Sequence, residues 1–280
     1  FRRLCHDLAL AQDRDYSLSL VQALQARVLA AHQSIYGAAG RPVLDWRTFL
    51  TRDLPRLVRA ERRLVLAAAT LLLGPLALLT ALVIAIPAVA DLVLDTATRV
   101  RLEHMYDPAA AGSRVRGAAQ DWQMYGFYIA NNVRIDFQCF AGGILFGAGS
   151  VFFLLANGVI IGAAAGHVTA VGGGVPFWSF VAGHSAFELI GAVLSGASGL
   201  MLGRGLLAPG VWPRRHALAL EARRAVPLLV GAALLTALAA IVEAFWSPLT
   251  SVPPDVKYIV GLALWALTVL YLVRAGRDAD

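Results

Sequence analysis

A histidine and a glutamate, each able to bind a proton or a cation, lie four residues apart in an uncharged stretch of the chain. Within residues 177–203, eleven uncharged residues precede Glu188 and fifteen follow it. His184 stands one helical turn earlier, so on a helix the imidazole and the carboxyl share a face. A carboxyl group within an apolar helix is costly in a bilayer unless it is paired, hydrated or protonated. The pair is therefore the first candidate for a functional site.

Three interpretations of this pair remain open. In the first, it belongs to a buried hydrogen-bond network that holds transmembrane helices together, with His167 and Asn157 as candidate partners. In the second, Glu188 binds a proton or a cation during transport, and His184 tunes its proton affinity. In the third, the pair and His167 ligate a metal in a membrane-embedded, hydrolytic site, since a catalytic zinc ion needs three protein ligands and an open position. No residue is assigned as catalytic, and no cofactor is predicted.

A second polar group is expected on the outer side of the membrane. Its members are Asn131, Asn132, Arg134, Asp136 and Glu243. We expect Arg134 to form an interfacial ion pair with Asp136 or Glu243. The alternative is that the group borders the mouth of a cavity that leads down to His184.

The composition indicates that the helices carrying these residues lie in a membrane. Apolar residues make up 58% of the 280 residues, charged residues make up only 15%, and the mean hydropathy is +0.66. Soluble domains carry about a quarter charged residues. Because backbone polar groups must be paired within a bilayer, the chain is predicted to be all-α, a polytopic membrane helix bundle with about six transmembrane helices.

Uncharged stretches and turn-forming residues give the predicted boundaries. A transmembrane helix needs about 20 apolar residues, and Asn157-Gly158 is the expected break in the longest uncharged stretch. The predicted spans lie near residues 64–90, 137–156, 158–172, 177–203, 225–242 and 257–273. The third of these is short, and whether it crosses fully or is re-entrant stays open. Residues 1–63 are then a cytoplasmic or interfacial extension, 64–280 the transmembrane domain, and 91–136 an external segment.

Arginine is concentrated before the first predicted span, between the fourth and fifth spans, and in the C-terminal tail. Positive residues stay in the cytoplasm. We therefore predict a multi-pass protein of the bacterial inner membrane with both termini cytoplasmic. These anchoring arginines account for the net charge of +6, so no nucleic-acid partner is expected. The predicted partners are the lipid bilayer and other membrane or envelope proteins, and a homo-oligomer is left open.

Small residues and amphipathic patterns predict how the helices pack. Small residues recur every three or four positions in three rows: Gly191, Ser195, Gly199 and Gly203; Gly143 and Gly147; Gly158, Gly162 and Gly166. Such rows let helix backbones approach closely, so we expect the first row to meet the other two. In the extension, helices are predicted over 15–36 and 45–63 with a break at 37–42. The second is basic and is expected to lie on the membrane surface.

Five ordered motifs of the chain form a recognisable set. They are FYIANNVR (127–134), FAGGILFG (140–147), NGVIIG (157–162), GHSAFEL (183–189) and EAFWSP (243–248). Together they resemble the stage II sporulation protein M family, in the long form found in bacteria that do not sporulate, and the resemblance extends from about Leu44 to Tyr271.

In sporulating bacteria, the member of this family works with a peptidoglycan-degrading machine during engulfment. The resemblance implies a non-enzymatic membrane protein that scaffolds or regulates an envelope-associated assembly. A proton- or ion-coupled transporter that uses Glu188 and His184 is the alternative prediction. An intramembrane metal-dependent hydrolase is the third.

Overall fold

The computed structural model describes residues 2–36, 45–110 and 118–277, which are mostly helical. No β-strand occurs among these residues, so the predicted all-α fold class is confirmed. The chain divides into two compact units, residues 1–49 and residues 50–280. The second unit contains the candidate site residues.

Three helices are described in the first unit. Helix α1 covers Arg2–Asp13, α2 covers Leu18–Tyr36, and α3 covers Trp46–Thr48. Asp45 caps α3, because its side chain accepts a hydrogen bond from the backbone N–H of Arg47. The helix predicted over 15–36 is confirmed from its fourth residue onward. The break expected at 37–42 lies outside the described residues.

Nine described helices follow in the second unit. They are α4 (Leu54–Ala60), α5 (Arg62–Ala85), α6 (Thr96–Met105), α7 (Ala118–Ala141), α8 (Ala148–Ala170), α9 (Gly174–Ala182), α10 (Ser185–Leu207), α11 (Arg214–Phe245) and α12 (Pro254–Arg274). A π-helical turn, Phe49–Asp53, precedes α4, and short 3₁₀ turns lie at Pro87–Leu92, Pro108–Ala110 and Gly142–Ile144. By length and composition, five of the described helices can cross a membrane: α5, α8, α10, α11 and α12.

Contacts between the helices show which of their ends lie together. Arg204, near the end of α10, pairs with Glu61 just before α5. Arg59 donates to the carbonyl oxygen of Ala275, just after α12. We call this the ion-pair end of the bundle. The opposite end, where the start of α12 meets α9, is called the cavity end.

Helix α7 is not one of these five candidates, because its polar residues lower its hydropathy, but it packs lengthwise in the same bundle. At the cavity end, the ring of Trp122 packs edge-to-face on Phe245, with the centroids 5.0 Å apart. Toward the ion-pair end, the carbonyl groups of Cys139 and Phe140 abut Gly199 of α10. Six segments (α5, α7, α8, α9 with α10, α11, α12) therefore run alternately between the two ends. Five of these segments are long and apolar enough to cross a membrane, against a prediction of about six.

The boundaries predicted for the second and third spans, 137–156 and 158–172, are wrong. Asn157-Gly158 does not break the chain but lies in the middle of α8, where the missing side chain lets the backbone of Leu72 in α5 approach. The turn instead covers Gly142–Gly147, whose last glycine has φ +83°. Glycine adopts that conformation readily.

Two further boundaries differ from the prediction. Residues 118–136, which were predicted to be external, belong to α7. Two side chains of this segment, Asn132 and Asp136, are buried inside the bundle. The fourth span, 177–203, is divided into α9 and α10 at Gly183, where a side chain would collide with the Trp246 ring. The first, fifth and sixth spans correspond to α5, α11 and α12.

The glycine rows bring helix backbones together, but one row has a different partner from the one expected. Gly143 and Gly147 lie against Gly199 and Gly203 of α10, which confirms that contact. The third row packs on α5 instead; its members are Gly158, Gly162 and Gly166. It does so because α8 runs parallel to α5 along the whole row.

A charge network closes the ion-pair end. Glu61 accepts hydrogen bonds from Arg204 at 2.6 and 3.0 Å and from Arg224 at 2.9 Å. Arg204 also donates to Glu221 at 2.6 Å. The Arg204 guanidinium lowers the pKa of Glu61 below its ordinary value, although burial opposes that shift. Helix α4, from the basic segment expected on the membrane surface, packs here against α11 and α12.

Candidate functional site

A cavity of about 660 Å³ lies between α8 and α12, with α10 behind it. Residues of α5, α9 and α11 complete its wall. Ile160 of α8 and Leu262 of α12 line the cavity, and both side chains are more than half exposed on the outside of the bundle. The rim of the cavity is therefore apolar at these two positions.

The structure brings together His184 and Glu188 on the wall of this cavity. His184 precedes the first residue of α10 and is buried; its Nδ1 lies 3.0 Å from Ser247 Oγ. This contact orients the ring, and Nε2 lies 3.7 Å from Glu188 Oε2. Since the helix breaks at Gly183, Glu188 lies in the first turn of α10 and not in the middle of a long helix.

Glu243, expected at an external mouth, is the third member of this cluster. It lies in the last turn of α11 and lines the same cavity. One ligand atom each from His184, Glu188 and Glu243 lies within 4.8 Å of the others. Among the residues that the structure describes, these three are close enough together to hold a metal ion, as His–carboxylate sets do. Ser247, which sequence reasoning missed, stands in the EAFWSP motif four residues after Glu243.

His167 does not join the cluster. It lies near the end of α8, where its Nε2 is 2.9 Å from Glu103 Oε1 of α6. The two residues sit outside the large cavity. The third metal ligand predicted from the sequence is therefore wrong, because a short helix preceding α7 supplies a carboxylate to this histidine.

A second, smaller cavity of about 20 Å³ continues from Glu188 into the bundle. Its polar wall consists of Asn132, Asp136, Asn157, Glu188 and Thr236. Asp136 accepts a hydrogen bond from Thr236 at 2.5 Å, whereas Asn132 Nδ2 is buried without a hydrogen-bond partner among the described residues. Asn157 thus lies near Glu188 as expected, although its amide donates to the Phe153 carbonyl. This volume and these groups suit a single water molecule.

The outer polar group is split between two surroundings. Asn131 donates to Asn132, and Arg134 donates to Asn131 at 3.1 Å on the exposed face of α7. Asp136 points the other way, toward Thr236. The ion pair expected for Arg134 is therefore not formed with Asp136 in the described part of the chain.

Charge in the large cavity is one-sided. Among its described lining residues, Glu188 and Glu243 are acidic, and none is lysine or arginine. The buried Lys257 donates to the Ser247 carbonyl at 2.7 Å and is not among the lining residues. The arrangement can bind a proton or another cation, because only acidic groups and a histidine carry its charge.

Two family models match the chain. One, described as stage II sporulation protein M, matches residues 66–248, a range that contains all of the candidate site residues. The other, described as a domain of unknown function (DUF8413), matches residues 1–37, within the first unit. No curated protein and no solved structure matches the chain.

Proposed function

Because the chain belongs to the stage II sporulation protein M family, whose name states no reaction, we propose a function from the geometry of the site. We propose that this helical membrane protein is a proton-coupled permease. Its ligand binds in the cavity between α8 and α12, and Glu188 carries the proton. The protein acts in the bacterial inner membrane with its arginine-rich ion-pair end in the cytoplasm.

One observation carries this proposal: Glu188 lines both the large cavity and the small polar cavity. Coupling requires a carboxyl group that meets the ligand on one side and exchanges protons on the other. His184 and Glu243 flank it in the large cavity, while Asp136 and Asn157 face it across the small one. A structural carboxyl in a packed core is enclosed by hydrogen-bond partners, whereas the Glu188 side chain is 30% exposed.

The non-enzymatic scaffold or regulator implied by the resemblance is the alternative function. A scaffold needs contact surfaces for envelope proteins, and an internal cavity has no role in that function. The two functions therefore differ in a property that is measurable without knowing the ligand. In a permease the cavity responds to pH through Glu188, and in a scaffold it does not.

The test measures access to the cavity. In a Cys5→Ser background, Ala164→Cys places a thiol on the cavity wall, and the protein is reconstituted into proteoliposomes. The labelling rate with a membrane-impermeant maleimide is followed from about pH 8 to about pH 5.5 and divided by the rate for unfolded protein. We expect a change of about threefold or more, because protonation shifts a permease between states of different access.

Two further variants decide the result. Glu188→Gln should remove the response, because the amide does not titrate in this range. Glu103→Gln is the matched control, since Glu103 also pairs with a histidine but lies outside the large cavity, and it should respond like the parent. The scaffold would be favoured if the labelling rate of the Cys5→Ser, Ala164→Cys protein did not change with pH, or if Glu188→Gln left the pH response unchanged.

A further inference from the structure

The small cavity beside Glu188 is lined by a buried hydrogen-bond donor whose partner is not a protein group of the described residues. Asn132 lines this cavity of about 20 Å³, and its side chain is buried. The Asn132 oxygen accepts a hydrogen bond from Asn131 at 2.9 Å, which fixes the orientation of the amide, and Nδ2 has no partner among the described residues. Because buried donors are almost always paired, the cavity suits an occupant that accepts a hydrogen bond from Asn132.

Two carboxyl groups from different helices line the same cavity. One belongs to Glu188 of α10 and the other to Asp136 of α7. Asp136 accepts a hydrogen bond from Thr236, and a carboxyl group has room for further hydrogen bonds beside that one. The backbone carbonyl of Asp136 also accepts from Ser195 Oγ, which ties α7 to α10 at this level. The cavity therefore lies between two acidic groups whose helices are held together.

The other titratable groups around this pair lie outside the small cavity. His184 Nε2 is 3.7 Å from Glu188 Oε2, which is longer than a hydrogen bond, so this contact does not prevent Glu188 from bonding within the small cavity. Glu243 lines the large cavity and not the small one. Cys139 lies one turn after Asp136 on α7 and is buried. Among the described residues that line the small cavity, the titratable ones are Glu188 and Asp136.

Water is the occupant that meets these conditions. A water molecule needs a cavity of about 10–15 Å³ and about two to four polar partners. It can accept a hydrogen bond from Asn132 and donate to Glu188 and Asp136. A metal cation cannot accept a hydrogen bond from an amide, and two carboxylates would repel an anion.

We infer that the small cavity binds a water molecule that connects Glu188 to Asp136, and that Asp136 is a second proton-binding residue. Glu188 gives its proton to the water oxygen, and the water gives one of its own protons to Asp136. The water is regenerated, the proton has moved from Glu188 to Asp136, and the total charge is unchanged. Transfer through one water is within the reach of acid–base groups. The use of this step rests on the proposed function, since it moves the proton away from the ligand cavity.

Infrared difference spectroscopy of the purified full-length protein in detergent tests the inference. Spectra are taken between the two pH values of the labelling test, in ordinary water and in water enriched in the heavy oxygen isotope. We expect an O–H stretching band of bound water that shifts with the isotope. We also expect C=O bands of two protonated carboxyl groups, of which Glu188→Gln removes one and Asp136→Asn the other. Each of these variants should also displace the water band, because the water bonds to both groups.

Two further variants locate the water. Asn132→Leu, which is close in volume but has no donor, should abolish the water band and leave two C=O bands. Glu103→Gln is the control, since Glu103 lines neither the large nor the small cavity, and it should leave all three bands unchanged. A thermal melt of each variant excludes unfolding as the cause. The isotope shift is measured on the wild type, so the test stays decisive should one variant fail to fold.

Three results would overturn the inference. They are a wild-type spectrum without an isotope-sensitive water band, a water band that neither carboxyl variant displaces, and the absence of a C=O band that Asp136→Asn removes. A cavity thiol that responds to pH without these bands would refute the water and Asp136 alone. The three bands without a pH response of that thiol would refute the permease alone.

Discussion

The two ends of the bundle differ in the residues that surround their carboxylates. At the ion-pair end, Glu61 and Glu221 are matched by Arg204 and Arg224 at hydrogen-bonding distances. At the cavity end, Glu188 and Glu243 face an apolar and aromatic space without an arginine or lysine among its described lining residues. Matched charges serve the fold, because removing one partner leaves the other uncompensated. A carboxyl group that faces a histidine beside an open volume, as Glu188 does, is typical of a site that binds a proton or a ligand.

Packing follows the same division. Gly143 and Gly147 bring the α7–α8 turn against the backbone of α10, so no space remains at that level. At the cavity end, a cavity of about 660 Å³ lies between α8 and α12. The closed half can therefore act as a rigid base, while the open half is free to admit a ligand.

The largest expected effect comes from forcing the closed half apart. A side chain at Gly199 would collide with Ser150 and with the carbonyl groups of Cys139 and Phe140. Gly199→Leu is expected to destabilise the protein by more than about 3 kcal/mol, because backbone atoms cannot move aside as a side chain does. The measurement is the yield of monodisperse protein in size-exclusion chromatography. Gly126→Leu is the control, since Gly126 has nothing within 4 Å, and equal losses would contradict the argument.

Breaking the charge network should have the next largest effect. Glu61→Gln removes the carboxylate that pairs with Arg204 and Arg224 and is expected to lower the free energy of unfolding by about 2 kcal/mol, reduced by the partial exposure of both arginines. Thermal unfolding in detergent measures it. Asp91→Asn, which breaks the more exposed pair with Arg99, should change it by less than about 0.5 kcal/mol. Similar values for the two variants would contradict a stabilising role for the buried network.

The pH dependence of the same network should be smaller and has a definite sign. The pKa of Glu61 is lower in the folded protein than its ordinary value. Its contribution is therefore complete above an ordinary pKa of about 4.3 and is lost as the pH falls through the folded value. The difference in melting temperature between the wild type and Glu61→Gln should be largest near pH 6 and should shrink toward pH 3. A difference that stays constant would show that the charge of Glu61 does not stabilise the fold.

The sequence alone predicted the parts of this comparison that depend on local pattern. Helices α5, α11 and α12 were predictable because each is a long stretch with few charges, and the His184–Glu188 contact was predictable from helical spacing. Helix α7 was not, because its polar residues count against a transmembrane helix. Their partners are distant: Thr236, which donates to Asp136, is 100 positions away. Hydropathy averages over neighbours and carries no information about such partners.

The same limit explains the errors at the site. Asn157-Gly158 has the composition of a turn, but a glycine that lets two helices approach has the same composition. His167 was paired with the wrong residue, because Glu103 precedes it by 64 positions on a separate helix. Glu243 was predicted at an external mouth because it ends a span, and its proximity to His184 and Glu188 was not predicted as a cluster. In the folded bundle, the end of α11 meets the start of α10, and that meeting creates the cluster.

The smallest effect on stability is expected for Glu188→Gln, and it gives the most direct contrast between the two ends of the bundle. Glu188→Gln is the same chemical change as Glu61→Gln, made at the opposite end of the bundle. We expect it to alter the free energy of unfolding by less than about 0.5 kcal/mol, because the amide keeps the shape of the side chain and no arginine loses a partner. Thermal unfolding of the two variants in one detergent at about pH 7 measures the contrast. A loss at Glu188 as large as the loss at Glu61 would mean that its carboxylate holds helices together, and the difference between the two ends would then lie in their volume and not in their use of charge.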